Sequence, residues 1–204
     1  KSILPPRKFG LAAFWLIGWA AIGYLLLVVA FSLPTARMRS HLESTPGTFS
    51  NGSVVLVKDD TSTYLDYLTE ATILSEAIYD GDESAFTKAA AIYSIIPPSD
   101  ETLNWSYAKL TAALSSNRDA AYGAYARYWQ GQNAILRPLL LLFDYKDILR
   151  LNMLVQLGLM LWIAYLLPRR QLGYLLLPFV ILFGALTPAA PSLCLQYTPC
   201  FLIM

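Results

Sequence analysis

Apolar and polar positions divide this chain unevenly. An uncharged apolar run extends from Phe9 to Leu33, roughly a hundred mixed residues follow, and apolar runs resume at Leu151–Leu167 and Leu172–Ala190. At ~1.5 Å of helical rise per residue the first run exceeds the ~30 Å hydrocarbon core of a bilayer, so it predicts a transmembrane helix over 9–33. Its uncharged length is beyond the roughly 7–15 residues of a signal-peptide core, which predicts a signal anchor rather than a cleaved leader. The later runs predict a second span over 148–168 and a third over 172–190, joined by a tight turn at 169–171. Residues 191–204 open another apolar stretch, and the chain begins with Lys1, so the pattern predicts one piece of a longer polytopic protein. The expected fold class is all-α: polytopic transmembrane helices with a mostly helical extracytoplasmic loop domain, 34–133, between the first and second spans.

Basic residues set the expected orientation, because short loops rich in Lys and Arg stay in the cytoplasm. Lys1, Arg7 and Lys8 precede the first run, and Arg169 and Arg170 fill the turn after the second. Both put the N-terminus, 1–8, inside and 34–133 outside, against the weaker pull of Arg37 and Arg39. Twelve of the fourteen acidic residues fall in 34–133 beside seven basic ones, so a net charge of +1 for the whole chain conceals an acidic loop. The expected location is the cell membrane, multi-pass, with the bilayer as the first partner. Nucleic acid is excluded as a partner by the absence of a basic stripe. Cys194 and Cys200 are too few for a disulfide scaffold; they are expected as buried thiols, with a disulfide as the alternative. One histidine gives no ligand set for zinc, and no cofactor is indicated.

The loop has the aromatic and periodic apolar content of a folded layer. Leu65, Leu68, Ala71, Leu74 and Ile78 recur at helical steps, predicting a helix over 64–79 with one apolar face. A second helix is predicted over 84–94, ended by Pro97-Pro98. A third is capped by Ser99 and carries Leu103, Tyr107, Leu110 and Leu114 on one face. A fourth begins near Arg118 and carries Tyr122, Tyr125 and Trp129. Phe49–Val57 is the single strand-like piece. Asn51-Gly52-Ser53 and Asn104-Trp105-Ser106 are glycosylation sequons where the source makes that modification.

Residues 134–147 hold a short apolar core, Leu139–Phe143, opened by Arg137-Pro138 and closed by Asp144, Tyr145, Lys146 and Asp147. Proline suits a first helical turn, and the length suits an interfacial or re-entrant helix; the alternative is one long helix continuing into the second span. Asn152 and Gln156, one turn apart within that span, are expected to bond to a neighbouring helix.

Candidate chemistry rests on two groups. Asp66 and Glu70 lie four apart on the first loop helix, so both carboxylates share a face; they form either a solvated surface or a general-base or cation site. Asp59-Asp60 and Asp80-Gly81-Asp82-Glu83 read as turns and helix starts. Tyr125, Arg127, Trp129 and Arg137 combine flat rings with guanidinium groups, which suits sugars and phosphates; the rings also suit a water–membrane boundary with no ligand.

The stretch from Tyr125 through Arg127, Tyr128, Trp129 and Arg137 to Tyr145, with Leu65–Leu74, is similar to segments of uncharacterised multi-pass membrane proteins of Gram-positive bacteria. The layout of first span, large outer loop with an acidic residue, and Arg-Tyr segment entering further spans resembles the GT-C glycosyltransferases. The chain departs from that pattern in having neither an Asp-Glu pair nor a Pro-Pro-Gly turn after Arg127. The resemblance implies Glu70 or Asp66 as catalytic base and Arg127 or Arg137 near the phosphate of a polyprenyl-phosphate sugar. It implies transfer of that sugar to an envelope acceptor. The second expectation is a non-catalytic membrane assembly or partner-binding protein with an extracytoplasmic interaction loop. A transporter would need charges facing a midplane cavity, and the predicted spans have none.

Overall fold

The computed structural model describes residues 6–96, 104–115, 121–125, 131–185 and 187–199. The protein is mostly helical. Its helices are α1 (Pro6–Phe31), α2 (Ala36–Leu42), α3 (Tyr67–Ala77), α4 (Ala85–Ala91), α5 (Trp105–Leu114), α6 (Asn133–Leu142), α7 (Tyr145–Arg169), α8 (Leu176–Ala185) and α9 (Ala189–Leu193). Four short strands form two antiparallel ladders, β1 (Val54–Val55) with β2 (Tyr64–Leu65), and β3 (Tyr93–Ile95) with β4 (Tyr122–Ala124).

Among the described residues, two helices are long and apolar enough to cross a membrane, Gly10–Phe31 and Tyr145–Arg169. Only 22% and 6% of their most apolar windows are buried in the fold. Phe14, Trp15, Leu16 and Trp19 on α1, and Leu154, Leu161 and Trp162 on α7, stand exposed. The third apolar run departs from the span expected over 172–190. It divides into a 3₁₀ turn at Gly173–Leu175, the ten-residue α8, and α9 after a break at Thr187. Thr187 has a φ of 44°, and Pro188 behind it disfavours helical backbone in the residue before, so the chain turns there.

The core lies under the loop. Met38 and Leu42 of α2, Phe49, the buried length of α3, Leu110 and Ala113 of α5, Leu136 and Leu140 of α6, and Tyr145 and Ile148 of α7 form one cluster. Its centre is α3, where every residue from Glu70 through Ala77 is buried. That differs from the one-faced amphipathic helix predicted over 64–79. Residues 64–65 are strand, Asp66 is the N-cap, and Leu68, assigned to the apolar face, is 44% exposed.

Other boundaries shift for local reasons. α4 begins at its Ser84 cap but ends at Ala91, after which Ile92 takes a φ of 43° and the chain enters β3. α5 is capped by Asn104, whose side chain accepts from Tyr107 N–H at 3.4 Å and donates to the Phe49 and Ser50 carbonyls at 2.7 Å each. Ser99, Leu103 and Pro97-Pro98 lie outside the described residues. The later cap turns the buried face to Ser106, Leu110 and Ala113, leaving Tyr107 exposed. Of the two sequons, Asn51 is exposed, whereas the Asn104 amide is engaged inside the fold. The helix predicted from Arg118 is replaced at Tyr122–Ala124 by β4, which pairs with β3. The strand expected over Phe49–Val57 shrinks to Val54–Val55, since Pro46–Phe49 is a 3₁₀ turn.

Candidate functional site

Asp66 and Glu70 both act within the first turn of α3. As N-cap, Asp66 accepts the Thr69 N–H at 3.2 Å and the Thr69 hydroxyl at 2.6 Å, satisfying donors that the helix leaves orphaned. Glu70 is fully buried. Its Oε1 accepts the Tyr145 hydroxyl at 2.9 Å and the Leu195 N–H at 3.0 Å; its Oε2 accepts the Gln196 N–H at 3.3 Å and the Cys194 thiol at 3.4 Å. Two donors on each oxygen use the acceptor capacity of a carboxylate in full. The Leu195 and Gln196 amides open a 3₁₀ turn, so the carboxylate meets its positive end. Burial raises the Glu70 pKa, and the four hydrogen bonds oppose that shift. The pair of alternatives read from the sequence, solvated face or open base site, gives way to a third arrangement: an internal clamp joining α3, α7 and residues 194–196.

Cys194 is a free, buried thiol. Burial, followed by the neighbouring Glu70 charge, pushes its pKa up, so it is a donor and not a thiolate. Cys200 lies outside the described residues.

Arg137 closes the opposite end of α3. Its Nε donates to the Ala30 carbonyl at 2.8 Å, Nη1 to the Ala77 carbonyl, and Nη2 to the Leu33 carbonyl at 3.1 Å. The guanidinium also stacks 4.6 Å from the Phe31 ring centroid. Ala30 lies in the last turn of α1, its carbonyl also accepting the Leu33 N–H at 3.1 Å, and Ala77 ends α3, so one cation meets the C-terminal carbonyls and negative dipole ends of two helices. Burial lowers its pKa to about 10, countered by Asp80, which leaves it charged at neutral pH. Arg39 repeats the device nearby, donating to the Ile78 carbonyl at 3.0 Å and the Ala113 carbonyl at 2.5 Å and pairing with Asp80 at 2.9 Å.

Glu70 and Arg137, one of the expected pairings of base and phosphate ligand, therefore do not converge. Seven residues of α3 separate Glu70 from Ala77, roughly 10 Å along the helix axis. Arg127 and Trp129 lie outside the described residues. Tyr125 lines a different feature, a groove of ≈ 610 Å³ between α3, α5 and the β3–β4 ladder. The remaining acidic pairs are local: Asp60 caps the 3₁₀ turn Thr61–Thr63, and Glu83 accepts the Tyr79 hydroxyl at 2.8 Å. Asn152 and Gln156 bond to a neighbouring helix as expected, both donating to the Pro191 carbonyl in α9, at 2.8 and 3.0 Å.

The sequence reading passed over Glu76. It is buried on the interior helix, and neither carboxyl oxygen has a hydrogen-bond partner. Burial pushes its pKa up to about 8, against the opposing influence of Lys109 and Ser94. Its signal was present: Glu76 is the one charge in the run from Ala71 to Tyr79, a segment too apolar to have a wet side.

Comparison of the chain with protein-family models, with curated proteins and with solved structures finds no match.

Proposed function

We propose that this chain is an integral membrane protein of the cell envelope. In this reading α1 and α7 cross the bilayer, the N-terminus is cytoplasmic, and residues 34–133 form an extracytoplasmic layer with a non-catalytic assembly or partner-binding role. The apolar, exposed surfaces of both long helices support the bilayer placement. The non-catalytic role rests on one observation: Glu70 and Arg137 bind the chain's own donors and carbonyls at opposite ends of α3. A transferase of the GT-C kind needs carboxylate, acceptor and donor phosphate within reach of one another.

Orientation is tested by single cysteines introduced in cells. With Cys194 and Cys200 replaced by serine, cysteines at exposed Ser62 and at Ser115 should react with a membrane-impermeant thiol reagent on intact cells, and one at Gln171 only after lysis. Labelling at Gln171 alone inverts the topology.

The role is tested with Asp66→Asn. Asparagine caps a helix about as well as aspartate, so fold and amount in the membrane should hold. Full restoration of the phenotype of cells lacking the protein is the expected result. Loss of a sugar modification of the envelope, with the variant at normal amounts, overturns the non-catalytic reading in favour of sugar transfer from a polyprenyl-phosphate donor.

A further inference from the structure

The groove beside α3 combines an apolar wall with polar groups that have no partners. Its volume, ≈ 610 Å³, falls in the range of roughly 300–1,000 Å³ typical of small-molecule sites. Among the described residues, Lys109 of α5 is the single charged residue of its lining, and no carboxylate lies within ion-pair distance of it. Ser94 of β3 also lines the groove; its hydroxyl is buried and unpartnered. Glu76 stands behind these two, near enough for Lys109 and Ser94 to lower its pKa, yet with no hydrogen bond of normal geometry to either.

Buried polar groups without partners are rare in native proteins, and each costs about 1–3 kcal/mol. Ser94 at the wall and Glu76 behind it are two such groups, and with the half-buried Lys109 ammonium beside them they point to a ligand that completes them. With its carboxyl pushed up to about 8, Glu76 is chiefly the neutral acid at pH 7, and a neutral acid donates. A carboxylic acid, a hydroxyl and an ammonium present donors and one positive charge, which calls for an acceptor with one negative charge. A carboxylate matches that count, whereas a phosphate dianion would bring a second charge into a low-dielectric wall. The rest of the lining, including Trp105, Ile95 and Tyr125, suits an apolar body.

We propose that this groove binds a small amphipathic carboxylate, its head against Lys109, Ser94 and Glu76 and its apolar body along Trp105 and Ile95. The proposal depends neither on the bilayer placement nor on the non-catalytic reading.

The test uses the full chain in nanodiscs, titrated with octanoate by calorimetry, with octanol and octyltrimethylammonium as matched probes of the same chain length. Octanoate should bind saturably and at least about tenfold more tightly than either, as expected when a charge-assisted bond distinguishes the heads. Lys109→Met should remove that preference. Glu76→Gln, whose amide still donates, should hold octanoate within about threefold of the native chain. Ala124→Trp, at an exposed strand position on the groove wall, should block all three probes while leaving the buried groups in place. Because partition into lipid is common to every variant, octanoate uptake that Lys109→Met and Ala124→Trp leave unchanged overturns the proposal. Equal binding of octanoate and octanol, or no saturable octanoate binding, overturns it as well.

Discussion

Arg137→Met should destabilise the protein by about 3–5 kcal/mol, measured as the shift in unfolding free energy of the purified full chain in detergent. Methionine fills much of the same volume but donates nothing. The carbonyls of Ala30, Leu33 and Ala77 then lose the donors that reach them from one rigid fork. Ala30 keeps the Leu33 N–H at 3.1 Å, but the Leu33 and Ala77 carbonyls lie past or at helix ends, where no intrahelical N–H stands ready to replace the guanidinium. Arg137→Lys keeps the charge and should recover less than half of the loss, because an ammonium cannot address three separated carbonyls in the guanidinium's planar geometry. Against a total stability of roughly 5–15 kcal/mol, the Met change removes a large part of the fold's margin. Native-like unfolding of Arg137→Met would mean that the guanidinium does not hold α1 to α3 and would return Arg137 to the list of ligand-binding residues.

How much of this was legible in the sequence follows from which forces act locally. The two long helices were readable because twenty-odd uncharged residues leave a bilayer-length helix as their simplest state, and α1 and α7 fall close to the predicted spans. The start of α4 and the Asp60 turn were readable for the same reason, since turns and helix starts are set by contacts between near neighbours. α3 was readable as a helix but not as a buried one. Leu65, Leu68, Ala71 and Leu74 fit a one-faced stripe, yet α5 and α6 cover its other sides, and only tertiary packing reveals that Glu70 and Ser75 are interior. β4 was missed because Tyr122 and Tyr125 fit helical spacing; what decides their state is pairing with Tyr93–Ile95, a partner distant in the chain. The division of the third apolar run had a local signal, Thr187-Pro188, which the apolarity around it masked. The candidate site divides along the same line. The residue types were noticed, but whether a carboxylate faces a cavity or a set of backbone amides depends on segments more than a hundred residues away.

Glu70→Gln should free residues 194–196 from α3 without unfolding the whole protein. The carboxylate now accepts four donors, two on each oxygen. An amide has one acceptor oxygen, so at best two of those donors keep a partner. Its NH₂ then faces the other two donors, an arrangement that costs about 2–4 kcal/mol in lost and opposed hydrogen bonds. The cost falls mainly on the C-terminal segment, because Asp66 still caps α3 and Tyr145 remains in the core through its ring contact with Phe49. Cys194 reports the opening directly, since it is buried with its thiol held against Glu70. In a Cys200→Ser background, alkylation of Cys194 by a small thiol reagent in detergent should be slow in the native chain and about 30- to 1,000-fold faster in Glu70→Gln, the factor that this free energy represents. Helix content by circular dichroism should change little over the same comparison. Glu70→Asp, which keeps the charge but shortens the reach, should fall between the two. If Cys194 stays as protected in Glu70→Gln as in the native chain, the four-donor clamp is not what seats this segment, and a chemical role for Glu70 regains its standing.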